Sequence, residues 1–202
     1  VNPENLPFIY LASQSPRRRE LLQQIGVRYE VINAEVTEVP RTQESPSDYV
    51  QRLAREKAEA GLVSVKRRQL LKRPVLGADT IVVINNAILE KPQDAEHAAV
   101  MLRKLAGADH QVMTAVAMAT EDQCVVKLSL TDVVFRPLSE AEITAYWHTG
   151  EPCDKAGGYA IQGLGAVFVQ QIRGSYTGVV GLPIEQTVAL LDEFAIPYWQ
   201  SL

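Results

Sequence analysis

Apolar and polar positions along the chain fall into blocks whose period changes, and the blocks predict its elements. The wholly apolar run FIYLA at 8–12 predicts a buried strand. Ser15 then reads as a helix N-cap and Pro16 as a first helical residue, where its missing N–H costs nothing. That helix is expected to reach about Ile25 and stop at Gly26, with a second strand at 28–33 and a polar loop after it carrying Glu35 and Glu38. A second helix is expected from Ser45-Pro46, with Asp48 in the capping-box position. Its apolar stripe is Val50, Leu53 and Ala54, the next place on the stripe is Lys57, and Gly61 is near its end. The basic run at 65–73 reads as a solvated helix end or loop. PVLGADTIVVINNAILEKP predicts a strand, a turn at Asn85-Asn86 and a short return strand.

The second half alternates in the same way. Asp94 caps a helix whose stripe is Ala98, Met101, Leu102 and Leu105, ended by Gly107. Two strands follow, joined at Glu121-Asp122, and then a helix from a Ser139/Glu142 capping box to about His148. Residues 154–165 are too rich in glycine for a regular element. AVFVQQI predicts a strand, RGSYTGVVGLP a loop and IEQTVALLDEF the last helix. This mixed order predicts an α/β protein with a mixed central sheet.

Composition narrows the function. The 202 residues, 47% of them hydrophobic, suit one domain or two closely joined lobes, and the chain is read as a single domain over 1–202. A net charge of −4 argues against general nucleic-acid binding, although a small anion needs only a few local cations. Cys124 and Cys153 lack metal-type spacing and read as reduced thiols, which suits the cytoplasm. The scattered histidines at 97, 110 and 148 make a His-based zinc site improbable. No apolar run approaches the ~20 residues of a membrane helix, and no signal peptide opens the chain.

Against that background, several charges stand in unexpected places. Arg17 and Arg18 occupy a helix start, where the backbone already carries partial positive charge and acids are the usual choice. They read either as a plain basic helix start or as donors gathered for a phosphate. Lys57, on an apolar stripe, either snorkels to an edge or offers phosphate a point charge. Asp79 and Thr80 interrupt an apolar run. The aspartate reads as a loop-edge carboxylate, or as a general base or metal ligand at a strand end. A hairpin about Asn85-Asn86 sets residue 90 roughly across from 81, which brings Lys91 close to Asp79-Thr80. In the glycine-rich segment that Asp154-Lys155 opens, Gln162 has an amide able to read a base edge. No P-loop, GxGxxG or GxSxG motif occurs.

Together, LASQSPRRRELL, RLAREKA, GADTIV, EKP, DKAGGYAIQG and GSYTGVVGLP resemble the Maf family of nucleoside triphosphate pyrophosphatases, in the family's order and across nearly the whole chain. One departure is Gln14, where the family frequently has glycine. The resemblance implies an ITPase-like fold with two lobes around a cleft, in a protein that is often a homodimer. It also implies hydrolysis of a nucleoside triphosphate to the monophosphate and pyrophosphate with a divalent cation, Mg²⁺ or Mn²⁺. KAGGYAIQG looks like the branch preferring dTTP and UTP, with modified pyrimidine nucleotides as further candidates. Carried over by motif position, Asp79 is the proton acceptor. Arg17, Thr80 and Gln162 set substrate preference, and Arg18, Glu38, Lys57 and Lys91 line the phosphate and metal site. Glu38 and Asp79 are then the metal carboxylates, with Glu35 a rival to Glu38. The competing readings are a nucleotide-binding regulator of cell division, a pyrophosphatase for other non-standard nucleotides, and a nucleic-acid binder using 65–73.

Overall fold

The computed structural model describes residues 7–200. Strand β1 (Ile9–Leu11) is wholly buried, as its unbroken apolar run predicts. Helix α1 (Pro16–Gln24) starts at Pro16, although the Ser15 side chain makes no capping bond. It is followed by β2 (Tyr29–Val31), α2 (Pro46–Arg67), β3 (Val75–Ile84), β4 (Ala87–Leu89) and α3 (Ala95–Leu105). The remaining elements are β5 (Asp109–Ala119), β6 (Cys124–Phe135), α4 (Glu140–His148), β7 (Val169–Arg173), α5 (Tyr176–Val180) and α6 (Ile184–Glu193). The caps at Ser45, Asp94 and Ser139 form as expected, the last as a full capping box with Glu142.

The strands make one mixed sheet in the order β2-β1-β3-β5-β6-β7, with β4 paired on β3. β1 runs parallel to β2 and to β3, whereas β3–β4 and β6–β7 are antiparallel. The β3–β4 register pairs Val82 with Leu89 and Ile84 with Ala87, so residue 90 projects across from 81 as the hairpin reading requires.

The chain divides into two compact units. Of the described residues, the first takes 7–79, Thr114–Leu128 and 181–200; the second takes Thr80–Met113 and Ser129–Val180. In the first, Tyr10, Ala12, Ile32, Val65 and Val75 form a buried cluster that Phe8, Leu62 and Leu70 extend. In the second, His110, Phe135, Tyr159, Phe168 and Tyr146 pack edge to face or tilted, with Phe135 and Tyr159 centroids 4.7 Å apart and Tyr146 and Phe168 centroids 4.8 Å apart.

The structure corrects four expectations. Helix α2 does not end near Gly61 but runs almost two turns further, to Arg67. Gly61 is buried, and a Cβ there would come 2.6 Å from Val75 Cγ1. Packing against β3 therefore outweighs the ~1 kcal/mol by which glycine disfavours a helix. Asp79 is not at a strand end; it is the fifth of ten residues in β3 and is buried. The predicted strand at 166–172 begins only at Val169, because 164–168 form a 3₁₀ turn. The predicted loop at 173–183 holds the short helix α5, whose entry is fixed by the Ser175 hydroxyl accepting from Gly178 N–H at 3.0 Å.

Candidate functional site

The site in the first unit begins with how closely α2 lies on β3. Val75, Gly77 and Asp79 alternate onto one face of the strand. A Cβ on Gly77 would fall 2.5 Å from both Ala54 O and Ala58 N. The missing side chain thus lets the helix backbone sit directly on the strand, with Lys57 adjacent to Ala58. The Lys57 ammonium reaches Asp79 Oδ1 at 2.6 Å and Glu38 Oε1 at 2.6 Å. Its side chain is 13% exposed, that of Asp79 9% and that of Glu38 44%. The lysine does not snorkel away; it bridges two carboxylates, one buried and one at the rim.

Arg18 completes this cluster. Its Nε donates to Gly181 O at 2.8 Å and its Nη1 to Ser13 Oγ at 3.1 Å. Burial lowers the pKa of its guanidinium, and the charge of Arg17 adds to that, against the opposing pull of Asp79 and Glu38. Burial also raises the Asp79 pKa above the ordinary carboxylate value; Lys57 and Arg18 oppose this rise and Glu38 adds to it. A carboxylate held in its less hydrated form beside an ammonium and a guanidinium is a competent proton acceptor, and the cations have charge to offer an anion.

The loop bearing Glu38 is clasped to α2. Arg52 grips Glu44 with two nitrogens, Nε to Oε1 at 2.6 Å and Nη2 to Oε2 at 2.7 Å. It also donates to Glu56 and to Val39 O, while Arg41 donates to Glu56 at 3.0 Å. Such bidentate pairs fix geometry as well as charge. Between the two rival acids, Glu38 is the one on Lys57, whereas Glu35 accepts from Asn33 Nδ2 at 3.3 Å.

The structure therefore brings Arg18, Glu38, Lys57 and Asp79 together in the first unit. Arg17, half-buried beside Arg18 on α1, makes no hydrogen bond or ion pair with the described residues. Thr80, Lys91 and Gln162 belong to the second unit. Thr80 follows Asp79 in β3 and is half-buried, and Lys91 and Gln162 are exposed. Lys91 forms no ion pair among the described residues, so its suggested closeness to Asp79 gives no salt bridge.

Two supports escaped the sequence reading. Ser13, the Arg18 acceptor, left no signal beyond its place ahead of α1. In the second unit, Glu151 and Tyr146 bind the backbone of the glycine-rich segment, with Leu164 N–H donating to Glu151 Oε2 at 2.8 Å. Nothing in the local pattern sets Glu151 apart from a surface acid.

Among the described residues no group of three or more His, Cys, Asp and Glu side chains is arranged to hold a metal ion. None of the described helices is long and apolar enough to cross a membrane.

A mixed α/β sheet protein with a buried carboxylate and a bridging lysine on one helix–strand face, and a half-buried arginine from another helix beside them, is the class that fold and site define. The chain belongs to the Maf family: the family model described as Maf-like protein matches residues 8–194. It is 58% identical over 201 residues to a dTTP/UTP pyrophosphatase of Saccharophagus degradans, covering 98% of this chain and 94% of the relative. A dTTP/UTP pyrophosphatase of Alkalilimnicola ehrlichii is 53% identical over 201 residues, with 98% of each covered. A Shigella flexneri protein named nucleoside triphosphate pyrophosphatase is 55% identical over 186 residues, with 92% of each covered.

Proposed function

We propose that this chain is a nucleoside triphosphate pyrophosphatase that hydrolyses dTTP and UTP to the monophosphate and pyrophosphate. The observation that carries the reading is the Lys57 ammonium held 2.6 Å from both Asp79 and Glu38, with Arg18 beside them. Relatives more than 50% identical, named for this activity, support the choice of substrate.

The reaction needs a water activated for attack at phosphorus and charge balance for the oxygens. Asp79 takes the water's proton, its burial having raised its basicity. Lys57, Arg18 and Arg17 offset charge on the phosphates, with Lys91 a further cation for them. Thr80, Arg17 and Gln162 set the preference among nucleotides. The Gln162 amide offers both a donor and an acceptor, which complement the carbonyl and imide of uracil or thymine. Cytosine presents a donor where uracil presents an acceptor, so it leaves a mismatched pair and is turned over poorly.

A divalent cation fits this donor set. Glu38 and Asp79 supply hard carboxylate oxygens on the same ammonium. Mg²⁺ is commonly held by one or two carboxylates together with substrate phosphates, the number that Glu38 and Asp79 would supply. When bound, the cation supplies Lewis-acid stabilisation of phosphoryl oxygen charge.

Two free cysteines, Cys124 and Cys153, support a reducing, cytoplasmic setting. Likeness to the family also supports a homodimer, which sedimentation velocity would read directly.

The test is pyrophosphate release from a panel of dTTP, UTP, CTP, GTP and ITP with Mg²⁺ or Mn²⁺. Fast turnover of dTTP and UTP, abolished by chelation, is expected. Preference for ITP, or binding without pyrophosphate release, would overturn the proposal. Arg17→Ala is expected to weaken triphosphate binding and slow dTTP turnover.

A further inference from the structure

Gln162 lies in a segment with little regular structure, so something must hold it in place if it reads a base. We infer that Glu151 is that positioning residue: its carboxylate pins the turn that presents Gln162. The inference rests on the function proposed above and deepens it.

The geometry is specific. Glu151 opens a 3₁₀ turn just after Gly150, whose φ is +78°. Its two oxygens bind the backbone of two adjacent residues in the loop. Oε2 accepts from Leu164 N–H at 2.8 Å, and Oε1 accepts from Gly165 N–H at 2.8 Å. Oε1 also accepts from the Tyr146 hydroxyl at 2.6 Å. That hydroxyl in turn accepts from Ala160 N–H at 3.2 Å. Tyr146 is buried on α4, its ring edge-on to Phe168. Backbone N–H groups on both sides of Gln162 are therefore tied to one carboxylate and the phenol it binds. Gln162 itself stays exposed and makes no hydrogen bond with the described residues.

The glycines around Gln162 fit the same device. A Cβ at Gly163 would lie 2.0 Å from Glu151 Oε2, and one at Gly165 would lie 2.6 Å from the Tyr146 hydroxyl. Both positions are bare because side-chain oxygens occupy the space a Cβ needs. The Glu151 pKa is lowered: burial opposes ionisation, but the Tyr146 hydroxyl and the two backbone donors together outweigh it. An ionised carboxylate presents only acceptors, so it suits three converging donors. A glutamine would place an NH₂ group against one of the two backbone N–H groups and lose that bond.

The experiment compares kcat/KM for UTP and CTP in the wild type, Glu151→Gln, Gln162→Ala and the double variant, with thermal melts to confirm folding. Glu151→Gln is expected to shrink the UTP/CTP ratio by about 10-fold, mainly through a higher KM for UTP. The double variant is expected to discriminate no less than Gln162→Ala alone, because both changes act through one side chain. Tyr146→Phe, which keeps the ring and removes only the hydroxyl, is expected to act in the same direction and serves if Glu151→Gln does not fold. An unchanged UTP/CTP ratio in a folded Glu151 or Tyr146 variant overturns the inference while leaving the proposed function intact. So does a double variant whose loss is the product of the single losses. A wild type inert toward both dTTP and UTP overturns the function, and this inference with it.

Discussion

The two regions that carry candidate chemistry are built on opposite plans. In the first unit, charged side chains from a loop, a helix and a strand converge, and the candidate groups hold one another: Lys57 on Asp79 and Glu38. In the second, the candidate base reader makes no hydrogen bond with the described residues. Gln162 is exposed, and Glu151 and Tyr146 fix only the backbone around it. Charge that must meet a polyphosphate has to be paired while it waits, because an isolated buried ion is costly. A neutral amide that reads a base edge needs only the correct orientation. Neutralising the buried carboxylate of the first region should therefore exchange activity against stability, and truncating Gln162 in the second should alter selectivity while sparing stability.

The sharpest way to break that contrast is Asp79→Asn. Turnover of dTTP is expected to fall about a thousandfold. In the same variant Tm in metal-free buffer is expected to rise, since burial disfavours the ionised carboxylate it removes. Wild-type turnover, or a fall in Tm, would sink the account of this region.

Next in size is an effect that belongs to the core of the second unit. His110 is buried, shares a hydrogen bond of 2.8 Å with the Tyr159 hydroxyl, and has its pKa lowered to about 4 by burial, against the opposing effects of Asp109 and the Ala108 backbone. The unfolded chain protonates this imidazole near pH 6.5, whereas the folded protein resists until about pH 4. Its contribution is thus complete above pH 6.5 and lost as pH falls toward 4, a change of roughly 3 kcal/mol. Urea unfolding of the wild type and His110→Gln across that range reads it, and the variant should lack that part of the acid sensitivity. Gly77→Ala comes after, with a loss of about 2 kcal/mol in urea unfolding and lower activity, because the helix must move off the strand.

The smallest effect tests the other half of the comparison. Gln162→Ala is expected to narrow the kcat/KM ratio of UTP to CTP by roughly 10-fold. Its change in stability should lie within about 0.5 kcal/mol, as for an exposed residue with no partner. A large stability loss would mean that the side chain is structural and that the two regions do not differ in the way described.

How much of this could be read from the chain follows the same divide. Asp79 and Lys57 were conspicuous because a charge in an apolar pattern must be explained by something nearby, and Arg18 because cations are out of place at a helix start. Each of these conflicts was local, and each is resolved within a few ångströms. The order of most elements was legible for a similar reason, since caps and periodicity are short-range signals. Glu151 was not legible: its partners at 164 and 165 lie more than ten residues away, and no local rule conflicts with a surface glutamate. Gly61 misled because a helix stop and a close helix–strand contact call for the same residue; only the neighbour, Val75, tells them apart. The 3₁₀ turn at 164–168 was hidden by apolar residues that read as a longer strand.

The hydrogen atom that serves as a side chain at Gly77 has a practical consequence for natural variation. The spacing of helix and strand sets how far the lysine's arm must stretch to reach its acids, so an allele with a slightly larger residue at 77 would lower activity without altering any ionisable group. Such a change would score as mild in any comparison of residue types, yet it is expected to cost both turnover and stability.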